Sequence, residues 1–177
     1  MTLRSFEEPD IDEMMSWVSN ERAARFSSLG CITNKEDGIK FMKNTIIPHP
    51  WFKVICVNNV SVGVIFVTPH SDKGRNRTAS LGCLLSPNHS SRGIGPQAAK
   101  LVLSTIFREW KHLERLEAVV DVRNVESQKA VEKAGFKREG VLRKYTIMNG
   151  TTIDTVMFSF LPTDDHITGM SQLMSSL

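Results

Sequence analysis

The chain has 177 residues, a length that fits one domain with a substantial core. Hydrophobic residues make up 41% of the chain and charged residues 23%, as in ordinary globular domains, and the net charge of +3 gives no reason to expect a nucleic-acid partner. No apolar run reaches the length of a membrane-spanning helix, and the first residues lack the pattern of a secretory signal. We therefore expect a cytoplasmic protein without membrane association. The final Ser175-Ser176-Leu177 is a weaker, peroxisomal alternative, because it lacks the lysine of that address.

The cysteines indicate a reducing compartment. Cys31, Cys56 and Cys83 are odd in number and widely spaced, and no histidine stands at metal-ligand spacing from them. We expect free thiols and no metal site.

The N-terminal part is predicted to hold a short strand over 3–6 and two amphipathic helices. Asp10 is expected to cap the first helix and Asn34 the second, because each precedes apolar residues at helical spacing. Pro48 and Pro50 end the second helix. Between the helices we expect a further turn or two over 21–26 and a loop over 27–33.

From Trp51 the apolar period changes to that of strands. Asn58-Asn59 predicts a tight turn between two strands, and a third strand follows in the same antiparallel run. A glycine-containing loop, a helix and another strand come next, so that the last two strands should form a right-handed parallel crossover. The predicted ranges are 51–57, 60–68 and 76–85 for the strands, 96–110 for the helix and 113–122 for the crossover strand.

The C-terminal part is predicted to be a short helix followed by a hairpin. Asn124 is a good N-cap and Gly135 a good C′ residue for a helix that ends at Ala134. Asn149-Gly150 is the strongest hairpin signal in the chain, with strands over 141–148 and 151–161 on its two sides. Residues 162–177 are expected to be a disordered tail. The result is one α/β domain over 1–161.

The segment Leu81–Lys100 has the order strand, glycine loop, helix start, which is typical of an anion site. Free amides in the first turn of a helix and the positive end of its dipole favour a phosphate or pyrophosphate. Residues 93–98 also match G-x-G-x-x-A, and Asp121 stands where a dinucleotide site has its ribose-binding acid. The loop between strand and glycines and the antiparallel strands disfavour that alternative. A glycine turn without a ligand also stays open.

The motifs in their order resemble the GCN5-related N-acetyltransferases (GNAT), in particular the RimJ/RimL-like branch. The resemblance covers residues 3 to about 161 and implies the GNAT acyl-CoA N-acyltransferase fold, a mixed and mostly antiparallel sheet with a central parallel strand pair flanked by helices. It also implies acetyl-CoA as co-substrate and an amine acceptor, either a small molecule or a peptide or protein N-terminus. The oligomeric state stays open. The motifs are Leu3-Arg4 with Asp10, Ser19-Asn20-Glu21, Leu81-Gly82-Cys83, Arg92-Gly93-Ile94-Gly95, Asn124-Val125-Glu126-Ser127, Ala134-Gly135-Phe136 and Asn149-Gly150.

The same resemblance implies which residues hold the cofactor. It places the pyrophosphate on the amides of the glycine loop, Asn124 near the pantetheine arm and Ser127 near the sulfur. This chain departs from the family at Ser90, where relatives have Gln or Arg, and at Pro96, which removes one amide donor. The full set of expected cofactor-binding residues is Leu84, Leu85, Ser91, Arg92, Gly93, Ile94, Gly95, Gln97, Asn124 and Ser127.

The implied reaction is direct attack of an amine on the thioester in a ternary complex. Ser127 is the candidate general acid for the departing thiolate, and backbone amides where the parallel strands separate are candidates to polarise the carbonyl. The base stays open, because relatives carry carboxylates at the positions of Ser80 and Thr146. A non-catalytic acyl-CoA-binding module is therefore an alternative. The other candidates for the base are Asp121, Glu117, Glu21, His89 and His49, and the spacing selects none of them.

Overall fold

The computed structural model describes residues 1–19, 32, 34–90, 92–148 and 150–167, and over these residues the chain folds around one mixed sheet. The strands are β1 Thr2–Ser5, β2 Phe52–Val57, β3 Val60–Pro69, β4 Thr78–Leu85, β5 Arg115–Asp121, β6 Lys137–Met148 and β7 Thr151–Phe160. The helices are α1 Asp10–Val18, α2 Lys35–Phe41, α3 Ile94–Glu109 and α4 Val125–Ala134. A π-helical turn, Met42–Ile46, continues α2. The spatial order of the strands is β1-β2-β3-β4-β5-β7-β6.

The predicted hairpins and the predicted crossover are both present. Asn58 and Asn59 join β2 to β3 with positive φ values of 51° and 63°, as a two-residue hairpin turn requires. Gly150, at the turn between β6 and β7, has φ 74°. Helix α3 connects β4 to β5, and these two strands pair in parallel. The predicted mixed sheet with a central parallel pair is confirmed.

The two faces of the sheet bury two separate hydrophobic clusters. Helices α3 and α4 cover one face, where Val102 and Ile106 of α3 pack with Leu116 and Phe158 of the sheet. Helix α1 and the α2 segment cover the β1–β3 half of the other face. Each fully buried side chain of this size contributes about 1.5–3 kcal/mol. The second cluster contains Ile11, Met14, Trp17, Val18, Met42, Ile46, Phe52, Val64 and Leu84.

The helix caps follow the sequence prediction at Asn34, Asn124 and Gly135 and differ from it at Asp10. Asn34 caps α2 by accepting the backbone N–H of Asp37 at 2.8 Å, and Gly135 ends α4 with φ 110°. The prediction that Asp10 caps α1 is wrong. Asp10 is the first residue of the helix, and its carboxylate accepts the N–H of Glu7 and a bidentate contact from Arg4. This carboxylate therefore ties β1 to α1 instead of closing a helix end.

The described chain extends beyond the predicted end of the domain at residue 161. Pro162–Ile167 forms a 3₁₀ helix after β7. Asp164 anchors it, because its carboxylate is buried, accepts the N–H of Leu161 at 2.9 Å and pairs with Lys137. Residues 168–177 lie outside the described residues, as do the turn predicted over 21–26 and, apart from residue 32, the loop over 27–33. Within the described residues, no helix combines the length and the hydropathy needed to cross a bilayer.

Candidate active site

Strands β4 and β5 run side by side over a short stretch and then part. Their parallel register ends with Ser80 opposite Glu117, whereas β4 continues to Leu85 and β5 to Asp121. Beyond this point β4 pairs with β3 and β5 pairs with β7. We call the opening between the two strands, beyond Ser80 and Glu117, the fork.

The register of β3 against β4 determines which backbone groups of β4 point into the fork. The N–H of His70 donates to the carbonyl of Thr78 at 3.0 Å, and the N–H of Ser86 donates to Val62 at 2.9 Å. Since hydrogen-bonded pairs alternate along an antiparallel ladder, the even-numbered residues of β4 direct their amides and carbonyls to β3. The backbone groups that face the fork are the carbonyl of Leu81 and both groups of Cys83 and Leu85, since the N–H of Leu81 completes the parallel pair at Glu117.

The opposite wall of the fork follows from the same argument. The N–H of Val122 donates to the carbonyl of Asp154 at 3.2 Å, so the even-numbered residues of β5 bond to β7 and Val119 faces the fork. Backbone N–H and C=O groups that lack a partner in the fold require one from solvent or from a ligand. The fork can therefore hydrogen-bond an extended ligand that carries amide groups, as an added strand does.

The glycine loop ends in a helix start with free amides. Gly93 precedes α3 with φ 76°, a left-handed conformation that favours glycine. The first amide bonded back within this turn is that of Gln97, which donates to the carbonyl of Gly93 at 3.3 Å. Among the described residues the amides of Ile94 and Gly95 have no helical partner, and both lie at the positive end of α3. Arg92 is exposed beside them, and Ser91 lies outside the described residues.

The backbone conformation of Gly95 does not require a glycine, unlike that of Gly93. A Cβ on Gly95 would lie 3.7 Å from Leu85 Cδ1, an ordinary contact, and its φ is not positive. The fold by itself therefore accepts a larger residue at position 95. A glycine here keeps the approach to the free amides open for a ligand.

The other cofactor candidates of this segment take different positions. Leu84 buries its side chain in the α1-side cluster and turns its backbone to β3, whereas Leu85 turns its backbone to the fork. The connection to the glycine loop contains the 3₁₀ turn Pro87–His89, and the Ser86 hydroxyl lies 2.7 Å from His89 Nδ1. Ser90 donates its hydroxyl to the carbonyl of Pro87 at 2.9 Å.

Helix α4 begins at the far end of β5 with the capping contact that the sequence predicts. Asn124 Oδ1 accepts the N–H of Ser127 at 3.1 Å. The Gln128 side chain holds the turn by donating to the carbonyls of Asp121 and Val122 at 3.1 and 2.9 Å. Ser127 is half-buried, and its hydroxyl has no hydrogen-bond partner among the described residues. The turn therefore fixes the Ser127 backbone while its hydroxyl can meet a ligand.

Asp121 does not match the acid of a dinucleotide site. Its buried carboxylate accepts the backbone N–H of Arg123 at 2.8 Å and the guanidinium of the same residue at 2.6 Å. The mixed sheet is also unlike the doubly wound parallel sheet that a dinucleotide fold requires. Both observations exclude the Rossmann alternative.

Glu117 is likewise engaged by arginines. It is buried at the start of the fork, where Arg75 Nη2 contacts its Oε2 at 2.5 Å and Arg115 Nε contacts its Oε1 at 2.8 Å. Arg115 continues to Glu139 with two further bonds. Both carboxylate oxygens of Glu117 are therefore already engaged by guanidinium groups.

The remaining candidates for the base also have partners or lie elsewhere. His49 Nδ1 accepts the N–H of Trp51 at 3.2 Å, and its Nε2 lies 3.1 Å from Thr68 Oγ1. Burial lowers the pKa of His49. Thr146 lies opposite Ile153 in the β6–β7 pair. Glu21 lies outside the described residues.

His70 is a histidine at the fork that the sequence analysis missed. It follows β3 directly, and its two ring nitrogens contact hydroxyl groups of β4, Nδ1 at 2.8 Å from Thr78 Oγ1 and Nε2 at 2.7 Å from Ser80 Oγ. The ring is half-buried. Burial first, and then the nearby Arg75, lower the pKa of His70 below its ordinary value. No local signal in the sequence indicates this role, because the register of β3 against β4 sets His70 beside Thr78 and Ser80.

The described part of the chain contains no group of three or more His, Cys, Asp and Glu side chains that could hold a metal ion. The described thiols, Cys56 and Cys83, are free, and Cys31 lies outside the described residues. The groups that the described residues bring to the fork are backbone amides, hydroxyl groups, one histidine and carboxylates that are paired with arginines.

Comparison with protein families gives a match over most of the chain. A family model described as "Acetyltransferase (GNAT) domain" matches residues 1–137. The "Probable N-acetyltransferase YjcK" of Bacillus subtilis (strain 168) is 40% identical over 94 residues, which are 53% of this chain and 51% of that protein. The chain thus aligns with about half the length of this relative. A second relative from the same organism, "Uncharacterized N-acetyltransferase YoaA", is 26% identical over 91% of this chain and 93% of its own length.

Comparison with solved structures gives the same fold. RimL, a "Ribosomal L7/L12 alpha-N-protein acetyltransferase" solved in complex with coenzyme A, superposes with a TM-score of 0.75. The match covers 90% of this chain and 92% of that one at 20% sequence identity. At this identity the likeness establishes the fold.

Proposed function

Since the chain belongs to the GNAT acetyltransferase family and is an acetyl-CoA-dependent N-acetyltransferase, we propose that its acceptor is the α-amino group of a peptide or protein and that the acetyl group is transferred in the fork. The observation that carries this proposal is that the carboxylates of the fork are neutralised by ion pairs within the fold. The acidic side chains Glu117 and Asp121 are already paired with arginines.

For the cofactor, the proposal assigns the pyrophosphate to the amides of Gly93, Ile94 and Gly95 and to the positive end of α3. The pantetheine arm carries two amide groups, and the fork offers unpaired backbone groups on both walls. The arm then runs along the free edge of β4 toward Ser80, with Asn124 and Ser127 on the other side. Leu85, and not Leu84, turns its backbone to this path.

For the transfer, the amine nitrogen attacks the thioester carbon, the N–C bond forms and the C–S bond breaks with its electron pair going to sulfur. The thiolate gains a proton and the amine loses one, so the net reaction moves one proton from nitrogen to sulfur. The Ser127 hydroxyl is assigned as the donor to the thiolate. Support comes from its position one turn into α4, with its backbone fixed by Asn124.

The acceptor class follows from electrostatics. A polyamine carries several positive charges and binds best where carboxylates lack cationic partners, whereas Glu117 has Arg75 and Arg115 and Asp121 has Arg123. An α-amino group brings one charge and has a pKa near 8, about two units below that of an alkyl amine. It therefore needs no strong carboxylate base, in keeping with the serine and threonine at positions 80 and 146.

The test compares four acceptors at equal concentration with acetyl-CoA, by release of the CoA thiol. They are a serine-initiated hexapeptide without lysine, the same peptide acetylated at its N-terminus, L-methionine and spermidine. We expect turnover of the free peptide and none of its acetylated control. Spermidine should have a kcat/KM lower by about fivefold, since its further charges lack carboxylate partners, each of which would be worth up to about 1 kcal/mol. A preference for spermidine would contradict the proposed acceptor.

A non-catalytic role as an acyl-CoA-binding module gives a different result in the same assay. Acetyl-CoA then stabilises the protein thermally without any CoA release from the four acceptors. Calorimetric titration distinguishes both of these hypotheses from a nicotinamide-binding protein. The enzyme and the acyl-CoA-binding module should bind acetyl-CoA, and a nicotinamide-binding protein should bind NADH.

A further inference from the structure

The contacts of His70 and Ser80 assign a direction to each hydrogen bond between them. Thr78 has one hydroxyl proton, and its Oγ1 lies 2.9 Å from the carbonyl of Arg75, which can only accept. Thr78 Oγ1 must therefore accept from His70 Nδ1, at 2.8 Å. A neutral imidazole with its proton on Nδ1 has a lone pair on Nε2. Ser80 is then the donor to Nε2, at 2.7 Å.

Ser80 occupies the position at which the fork opens. It is the last residue of β4 paired with β5, and it lies opposite Glu117. Its side chain shares the sheet face of Leu84 and is half-exposed, so the hydroxyl borders the end of the fork. Because the hydroxyl proton is committed to His70, the remaining lone pairs of Ser80 Oγ can accept a hydrogen bond from an amine in the fork.

We propose that Ser80 and His70 together form the proton acceptor for the attacking amine, with Ser80 in contact with the amine and His70 as a positioning residue behind it. The proposal rests on the acetyl transfer described above and adds the residues that receive the proton.

The proton transfer balances without any further reactant. The ammonium form of the acceptor gives one proton to Ser80 Oγ, while Ser80 gives its own proton to His70 Nε2. The amine becomes neutral and can attack, and His70 becomes an imidazolium that releases the proton to solvent. The half-buried ring gives it access for that release. The nitrogen loses a second proton when the tetrahedral intermediate collapses. The thiolate gains one proton, so this second loss is balanced.

The groups around the imidazole support this role. Arg75 lies close enough to disfavour the imidazolium, and Glu117 and Asp72 favour it, with burial as the largest effect. Thr78 and Ser80 complete the contacts of the ring. The balance keeps the ring neutral at pH 7, which is the form that can accept a proton.

The experiment compares Ser80→Ala, His70→Gln and the double variant with wild type, using the serine-initiated hexapeptide at saturation and saturating acetyl-CoA. His49→Gln is the matched control, because His49 is a second half-buried histidine bonded to a β3 hydroxyl, that of Thr68. The melting temperature and the Kd of acetyl-CoA are measured for every variant. A lower melting temperature or weaker acetyl-CoA binding shows that a variant has lost its fold. If both stay as in wild type, a lower kcat reports the loss of the proton acceptor.

We expect kcat at pH 7 to fall about a hundredfold in each single variant, with no further loss in the double variant, because the two residues act as one unit. In wild type kcat should hold through the ordinary titration range of histidine and fall only at more acidic pH, because the pKa of His70 is lowered. In the variants kcat should instead rise with pH toward the pKa of the free α-amine, near 8. His49→Gln should keep the wild-type profile.

Three outcomes overturn different parts of the proposal. If wild type transfers acetyl to the hexapeptide but His70→Gln stays within about twofold of it with an unchanged pH profile, the His70 role fails and the acceptor assignment stands. If Ser80→Ala lowers kcat and His70→Gln does not, Ser80 acts without a relay and the proposal is wrong. If wild type acetylates none of the four acceptors, the proposed function itself fails.

Discussion

The carboxamide oxygen of Asn124 accepts the backbone N–H of Ser127 at 3.1 Å, so one contact both begins helix α4 and fixes the residue that faces the cofactor sulfur in our assignment. The bond uses the Asn124 oxygen and the Ser127 amide. It leaves the Asn124 side-chain N–H₂ and the Ser127 hydroxyl for a ligand. A helix cap and a ligand contact are therefore compatible in the same pair of residues.

Ser127→Ala should lower kcat by about 10²-fold with little change in the Kd of acetyl-CoA, because a general acid acts in the transition state and not in cofactor binding. The cap is retained, since it uses the Ser127 backbone. Steady-state kinetics and calorimetry measure the two quantities. Ser104→Ala is the control, because Ser104 lies on α3 and its hydroxyl donates to the carbonyl of Leu101 within the same helix. A kcat within about twofold of wild type would show that Ser127 has no role in proton transfer.

Gly95→Glu should abolish acetyl-CoA binding while leaving the fold intact. The fold has room for a Cβ at Gly95, 3.7 Å from Leu85, but a carboxylate there repels a pyrophosphate and covers the free amides. Gly74→Glu adds the same charge at a turn where a Cβ meets nothing within 4 Å. We expect a loss of affinity of at least about a hundredfold for the first variant and none for the control. Equal affinities would place the pyrophosphate elsewhere.

Acetyl-CoA should protect Cys83 from alkylation. The Cys83 side chain is exposed on β4, and its backbone faces the fork, so a bound pantetheine arm covers it. The ratio of the iodoacetamide labelling rates with and without acetyl-CoA is the quantity to measure. With acetyl-CoA at about ten times its Kd we expect labelling to slow about tenfold.

Peptide mapping by mass spectrometry assigns the label to Cys83, and Cys56, which is buried, is the internal control. NADH at the same concentration is the control ligand. Labelling of Cys83 at the same rate with and without acetyl-CoA would contradict the path of the arm along β4.

Glu139→Gln should destabilise the protein at neutral pH and less so in acid. Two hydrogen bonds from Arg115 and one from Ser159 lower the pKa of Glu139 to about 2. A depressed carboxyl pKa contributes stability above the unfolded value, near 4.3, and that contribution disappears as the pH falls toward about 2. Because the side chain of Glu139 is 42% exposed, we expect a difference of only about 1 kcal/mol at pH 7.

Urea unfolding at about pH 7, 4 and 3 tests this, with the difference between wild type and variant shrinking toward acid. Glu132→Gln is the control, since Glu132 is exposed on α4 and forms no ion pair with the described residues. A difference that stays constant over this pH range would show that the ionised form of Glu139 does not contribute.

Local signals in the sequence predicted most of the elements. The caps Asn34 and Asn124, the C′ residue Gly135 and the turn Asn58-Asn59 all behave as their residue types indicate, because each conformation depends on a few neighbouring residues. The start of α3 was placed at Pro96 and lies at Ile94, since a left-handed Gly93 can end the loop and begin the helix at once. Asp10 does not cap α1, because its carboxylate pairs with Arg4, which lies on β1.

The sequence by itself therefore determined the order of elements, the helix start that can hold an anion and the pair Asn124 and Ser127, all of which are short-range features. Only the tertiary structure decided which backbone groups of β4 are free, that Glu117 and Asp121 are held by arginines, and that His70 lies against Ser80. The reason is strand register. A shift of one residue between β3 and β4 would reverse which groups face the fork, and no local pattern along the chain specifies that register.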